Sequence, residues 1–169
     1  MNYKKVQKAV TFATKAHKGQ VRKYTHEPYV THPIAVMNIV KSVPHTTEML
    51  MAAALHDVVE DTPFTVEDIR KHFGNKVAVL VEALTHDKSD ERGKLKRAER
   101  KRLDRLQDAE NDGDAQTIRA ADMLHNAPSM KKYDPKFWEK VKLEMAETIK
   151  VLTKADNTLL RKLKKVVLT

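Results

Sequence analysis

The stretch "MLMAAALHDVVEDT", Met49 to Thr62, joins seven apolar residues to a histidine, two valines and three acids. An apolar run of that kind is hydrophobic on every side of a helical wheel, which calls for a helix buried nearly all round. A helix over Thr47 to Asp61, at ~3.6 residues per turn, sets His56 above Glu60 and Asp57 above Asp61. Val58 and Val59 then turn toward the core. The paired acids repel one another, and all three sit at the end of a helix whose dipole disfavours anions. A bound cation reverses the sign of both penalties. An acidic end facing water is the plainer alternative, but the buried lead-in leaves a histidine beside an aspartate badly placed for solvation.

Helical periodicity continues on both sides, so the expected fold is all-α, a single helical bundle over residues 1–169. The first helix runs from Tyr3 to His17 with Val6, Val10, Phe12 and Ala13 as its apolar stripe, and Gly19 ends it. The polar loop "QVRKYTHEPYVTHP" closes on Thr31 or His32 as the start of a second helix, with Pro33 in its first turn. That helix stops before Pro44. Thr65, with Asp68 three residues on, marks another helix start. Gly74 separates it from the buried pattern "NKVAVLVEALTH". "DKSDERGK" is expected to be a mobile charged loop. A basic helix follows from Leu95 to Ala109, and "NDGD" breaks it. "AQTIRAADMLHNAPSM" resumes as a helix, and two more span Pro135 to Thr153 and Asn157 to Val167.

Composition narrows the chemistry. The chain has 169 residues, no cysteine and a formal charge of +9. Any metal must therefore be held by histidine and carboxylate, not by thiolate. The basic balance implies an anionic partner. The basic runs "ERGKLKRAERKRLDRL" and "RKLKK" read as solvated helix faces, with Glu99 and Asp104 pairing with nearby bases. The apolar runs fall far short of the ~20 residues a membrane span needs, and there is no cleavable leader. A soluble, cytoplasmic protein is the expectation.

Three places belong together: "THP" at His32, "HD" at His56 and Asp57, and "AADMLHN" at Asp122. Each sets a potential ligand beside apolar packing. Two imidazoles and two carboxylates suit one divalent ion such as Mn, Fe, Co, Ni or Zn.

"HKGQVRKYTHEPYVTHPIAV", "AAALHDVVEDTPFTVEDIRKHFGNKVAVLVEALTHDKS" and "IRAADMLHNAPSM" resemble, in order and spacing, the HD-type hydrolase domain of the RelA/SpoT-homologue alarmone hydrolases, above all the stand-alone small ones. The resemblance runs from about Tyr3 to Met130. It implies an HD-domain helical bundle in which His32, His56, Asp57 and Asp122 hold one Mn²⁺ ion. It implies Glu60 and Asp61 as the catalytic acids. Arg22, Lys23, Lys88 and Asn126 would contact the phosphorylated nucleotide substrate. The implied reaction removes the 3′-pyrophosphate from guanosine tetra- or pentaphosphate, leaving GDP or GTP. Such chemistry needs neither nucleic acid nor a membrane. The length leaves no room for a synthetase domain, so a hydrolase alone is expected.

The rim departs from the family pattern. Met123 stands where the family has a basic residue, Pro128 where it has arginine, and "RKYTHEPY" lacks the usual glycine before Pro-Tyr. An adenosine alarmone, a nicotinamide dinucleotide phosphate or a 5′-nucleotide stays open as substrate. So does a basic HD-fold protein that binds nucleotide or nucleic acid without turnover. The intact Glu60-Asp61 pair favours an enzyme.

Overall fold

The structure, a computed structural model, describes residues 2–86 and 94–169, which are all-α apart from an isolated antiparallel bridge between Val21 and Pro28. The chain forms two compact units, Met1–Thr85 and His86–Thr169.

In the first unit the apolar run behaves as its composition dictates. The helices are α1 (Tyr3–Ala16), α2 (Thr31–Lys41), α3 (Thr47–Leu55), α4 (Val58–Asp61), α5 (Val66–Phe73) and α6 (Asn75–Leu84). Every residue of α3 from Met49 to Leu55 is buried, and α1, α2 and α6 all pack on it. The hydroxyl of Thr46 accepts from the Met49 amide and starts this helix. The expected start at Thr65 is a reciprocal cap: the Asp68 amide donates to Thr65 Oγ1 at 3.2 Å, and the Thr65 amide to Asp68 Oδ2 at 2.8 Å. Gly74 ends α5 at φ +88°, a left-handed conformation that favours glycine.

The expected helix over Thr47 to Asp61 is not continuous. It is interrupted at His56 and Asp57, and a single turn, α4, follows. At this place the ring Nδ1 of His56 donates to the carbonyl of Ala53 at 2.9 Å, the acceptor that an unbroken helix pairs with the amide of Asp57. Val58 is buried as expected, whereas Val59 is only half-buried.

The second unit holds α7 (Arg97–Glu110), α8 (Gly113–Tyr133), α9 (Pro135–Val151) and α10 (Asn157–Leu168), within a few residues of the sequence expectation. α9 packs on α7, α8 and α10. Asp112 caps α8 by accepting from the Ala115 amide. A Cβ on Gly113 would stand 2.9 Å from the Lys154 carbonyl oxygen, so only hydrogen fits there. Gln116, fully buried, donates to the Asp108 carbonyl and accepts from the Lys154 amide. Pro128 lies inside α8, which runs on to Tyr133 despite the missing amide. Most of "DKSDERGK", including Lys88, falls outside the described residues.

Candidate metal centre and acidic pair

Two segments of the first unit deliver three donors. His32 is the second residue of α2, held in its first turn by its own amide donating to the Tyr29 carbonyl. His56 and Asp57 form the interruption between α3 and α4. Both imidazoles are buried and Asp57 is half-buried. One ligand atom from each of the three lies within 4.8 Å of the other two. Asp57 Oδ1 stands 3.2 Å from His56 Nε2, and Oδ2 stands 3.5 Å from His32 Nε2. The two rings meet edge to face, centroids 5.2 Å apart.

The tautomer of His56 decides what this cluster can hold. A carbonyl only accepts, so Nδ1 carries the proton, and in the neutral ring Nε2 presents its lone pair toward the Asp57 carboxylate. A lone pair facing a carboxylate oxygen across that gap calls for a positive centre between them. The nitrogen-and-oxygen donor set fits a divalent first-row transition ion. The break in the helix, absent from the sequence expectation, falls at this pair.

The acidic pair sits one turn on. Glu60 and Asp61 occupy α4, both half-buried. Tyr29 donates its hydroxyl to Asp57 Oδ2 at 2.8 Å and to Asp61 Oδ2 at 3.2 Å, so these two acids share a face as the spacing implies. Arg22 reaches the same place, its guanidinium 5.6 Å from the Tyr29 ring centre. Lys23, more exposed, lies over the ring of Tyr24 and donates to its hydroxyl.

In the second unit, Asp122 is buried on α8 and held from two sides. Asn126 Nδ2 donates to its Oδ1 at 2.7 Å, and Arg119 donates to Oδ2 at 3.2 Å. Arg119 also reaches Asp108, a carboxylate only 1 % exposed, at 3.4 Å. His86 stands between two acids, Nδ1 3.9 Å from Asp104 and Nε2 3.8 Å from Asp108. A cavity of about 160 Å³ opens beside Asp122 and Asn126, with Arg97, Lys101, Arg119 and Phe137 in its wall. These three cations are absent from the sequence-based site. Arg97 and Lys101, one turn apart on α7, were hidden within a run that reads as solvated. That reading holds for Glu99 and Arg102, an exposed pair in which arginine keeps the Glu99 carboxyl below its usual range. Asp104 also pairs with a nearby base as expected, Lys101 at 2.8 Å, but it is buried rather than solvated.

The HD-domain family matches residues 9–154. A guanosine-3′,5′-bis(diphosphate) 3′-pyrophosphohydrolase, MESH1, of Xenopus tropicalis is 37% identical over 139 residues, covering 80% of this chain and 75% of its own. MESH1 of Homo sapiens is 36% identical over the same shares. The bifunctional (p)ppGpp synthase/hydrolase SpoT of Escherichia coli K12 is 48% identical over 82 residues, which is 48% of this chain and 12% of SpoT. Among solved structures, a metazoan SpoT orthologue described as hydrolysing ppGpp superposes with a TM-score of 0.86 at 32% identity. That superposition covers 96% of this chain and 93% of the other.

Proposed function

The chain belongs to the HD-domain family, and from that premise we infer that it is a metal-dependent hydrolase that removes the 3′-pyrophosphate from guanosine 3′,5′-bis(diphosphate)-type nucleotides. The observation that carries the reading is the convergence of His32, His56 and Asp57 with their ligand atoms within 4.8 Å, one turn before the Glu60-Asp61 pair. Mn²⁺ is the proposed ion, with Asp122 as fourth ligand, and residues 1–169 act as one HD-type phosphohydrolase domain. We place the protein in the cytoplasm; no helix among the described residues is long and apolar enough to cross a membrane.

When bound, the ion acidifies a water and withdraws charge from phosphate oxygens. The protein supplies the rest. Glu60 and Asp61 would orient the attacking water and accept its proton as its oxygen attacks the phosphorus attached to the ribose O3′. The bond from that phosphorus to O3′ breaks, the proton passes to O3′, and pyrophosphate leaves. Arg22, Lys23 and Lys88 offset the substrate's negative charge. Asn126, bonded to Asp122, lines the nucleotide side.

A substrate panel with Mn²⁺ tests this reading. It compares guanosine and adenosine 3′-pyrophosphates, a nicotinamide dinucleotide phosphate and 5′-nucleotides, with release of pyrophosphate or phosphate as readout. Preferred turnover of the guanosine 3′-pyrophosphate, abolished by chelator and restored by Mn²⁺, is expected. Turnover confined to 5′-nucleotides would overturn it.

A further inference from the structure

The acid Asp61 is held at two points by one loop, and neither contact involves the ion or a substrate. Gln20 donates from Nε2 to the main-chain carbonyl of Asp61 at 2.8 Å. Because that partner can only accept, the other end of the Gln20 amide must be oxygen, and it receives Nδ1–H of the buried His17 at 2.7 Å. Tyr29 holds the side chain, its hydroxyl reaching Asp57 Oδ2 at 2.8 Å and Asp61 Oδ2 at 3.2 Å. Gln20 and Tyr29 are fixed to each other, since the Tyr29 amide donates to the Gln20 carbonyl across the narrow hairpin closed by the Val21–Pro28 bridge. The Tyr29 ring is in turn held against His17, centroids 4.9 Å apart.

We propose that Tyr29 is a positioning residue, whose hydroxyl ties the carboxylate that grips the ion to the carboxylate that handles the water. One phenolic proton is shared between two acids, with the shorter bond to Asp57. It fixes the rotation of the Asp57 carboxylate, leaving lone pairs on both oxygens for other partners. It also fixes how far Asp61 stands from that group. Hydrogen bonds to a metal ligand of this sort change affinity or activity by about 10- to 100-fold when removed. The proposal rests on the metal and acid roles given above, so its test has one arm that needs no turnover.

Tyr29→Phe keeps the ring packed on His17 and Arg22 and deletes only the hydroxyl. Mn²⁺ titration of the purified chain, followed by electron paramagnetic resonance of the free ion, is expected to show a dissociation constant about tenfold higher than wild type. The melting temperature measured in chelator should stay within about two degrees, since a single half-buried hydroxyl adds little to the net stability. At saturating Mn²⁺, kcat should fall at least tenfold while KM stays within about twofold, the pattern of an interaction felt only in the transition state. Asp61→Asn, which leaves Asp57 and its tyrosine in place, should bind Mn²⁺ as wild type does. Unchanged Mn²⁺ affinity in a folded Tyr29→Phe would overturn the proposal. So would a raised KM at unchanged kcat, which is the behaviour of a substrate contact. A wild-type chain that binds Mn²⁺ and releases no pyrophosphate would defeat the functional reading instead, and the titration arm would then decide the role of Tyr29.

Discussion

Two groups of buried or half-buried acids, one in each unit, solve the same electrostatic problem in opposite ways. In the second unit the chain brings its own cation: Arg119 reaches both Asp108 and Asp122. In the first unit Asp57 meets two imidazoles and a phenol, none of which carries a fixed charge. An ion pair made by the fold is complete without anything from solution. A carboxylate set among imidazole lone pairs is complete only with a cation, because burying the anion alone is costly. A metal is therefore expected to change the first cluster and to leave the pair of Arg119 with Asp108 indifferent.

The sharpest break in that contrast comes from the ligands. His56→Ala should lose the ion and all measurable turnover, whereas Asp61→Ala should keep the ion and lose turnover. Metal analysis beside an activity assay checks both, and full activity in Asp61→Ala would remove that residue from the mechanism. Next in size, Arg119→Met should destabilise the protein by about 3 kcal/mol, since it strands the buried carboxylate of Asp108. Denaturant unfolding with Mn²⁺ and with chelator measures it, and Mn²⁺ should not repair the loss.

Added Mn²⁺ at about 100 times its dissociation constant should stabilise the wild-type protein by about 2.7 kcal/mol, read as a rise in melting temperature. His56→Ala should show no such rise. A smaller effect is expected at Arg97, which forks onto Glu144 with bonds of 2.8 and 2.7 Å and whose guanidinium that carboxylate holds above its usual range. Glu144→Gln should cost about 1 kcal/mol, a charged bidentate pair discounted for its exposure to solvent.

The smallest effect is at Asp68. Its two bonds with Thr65 hold its carboxyl below the ordinary value of 3.8. A depressed folded value means that its contribution is present above the unfolded pKa and lost as pH falls through the folded one. Asp68→Asn should flatten the acid limb of the melting-temperature profile below about pH 4 and change little near neutrality.

Much of this was readable from residue types. The all-apolar surface of Met49 to Leu55 left no option but burial on every side, and caps such as Thr65 with Asp68 fixed helix starts locally. What escaped the sequence depends on side chains reaching the main chain or another helix. At the interruption one ring nitrogen of His56 donates to the Ala53 carbonyl, and helical spacing has no way to register that bond. The burial of Asp104 and Asp108 was masked by the bases around them. An acid that faces Arg119 on another helix looks, in one dimension, like one facing water. Tyr29 stood in plain view within "EPYVTHP", yet nothing local announces that its hydroxyl spans two acids.

The bond from the His56 ring to the Ala53 carbonyl also matters to anyone who would transplant these donors into a designed protein. Copied to a place without that acceptor, the same imidazole is free to take its other tautomer and turn a proton, not a lone pair, toward the aspartate. Position 56 thus uses both ring nitrogens, and replacing it never deletes a ligand alone.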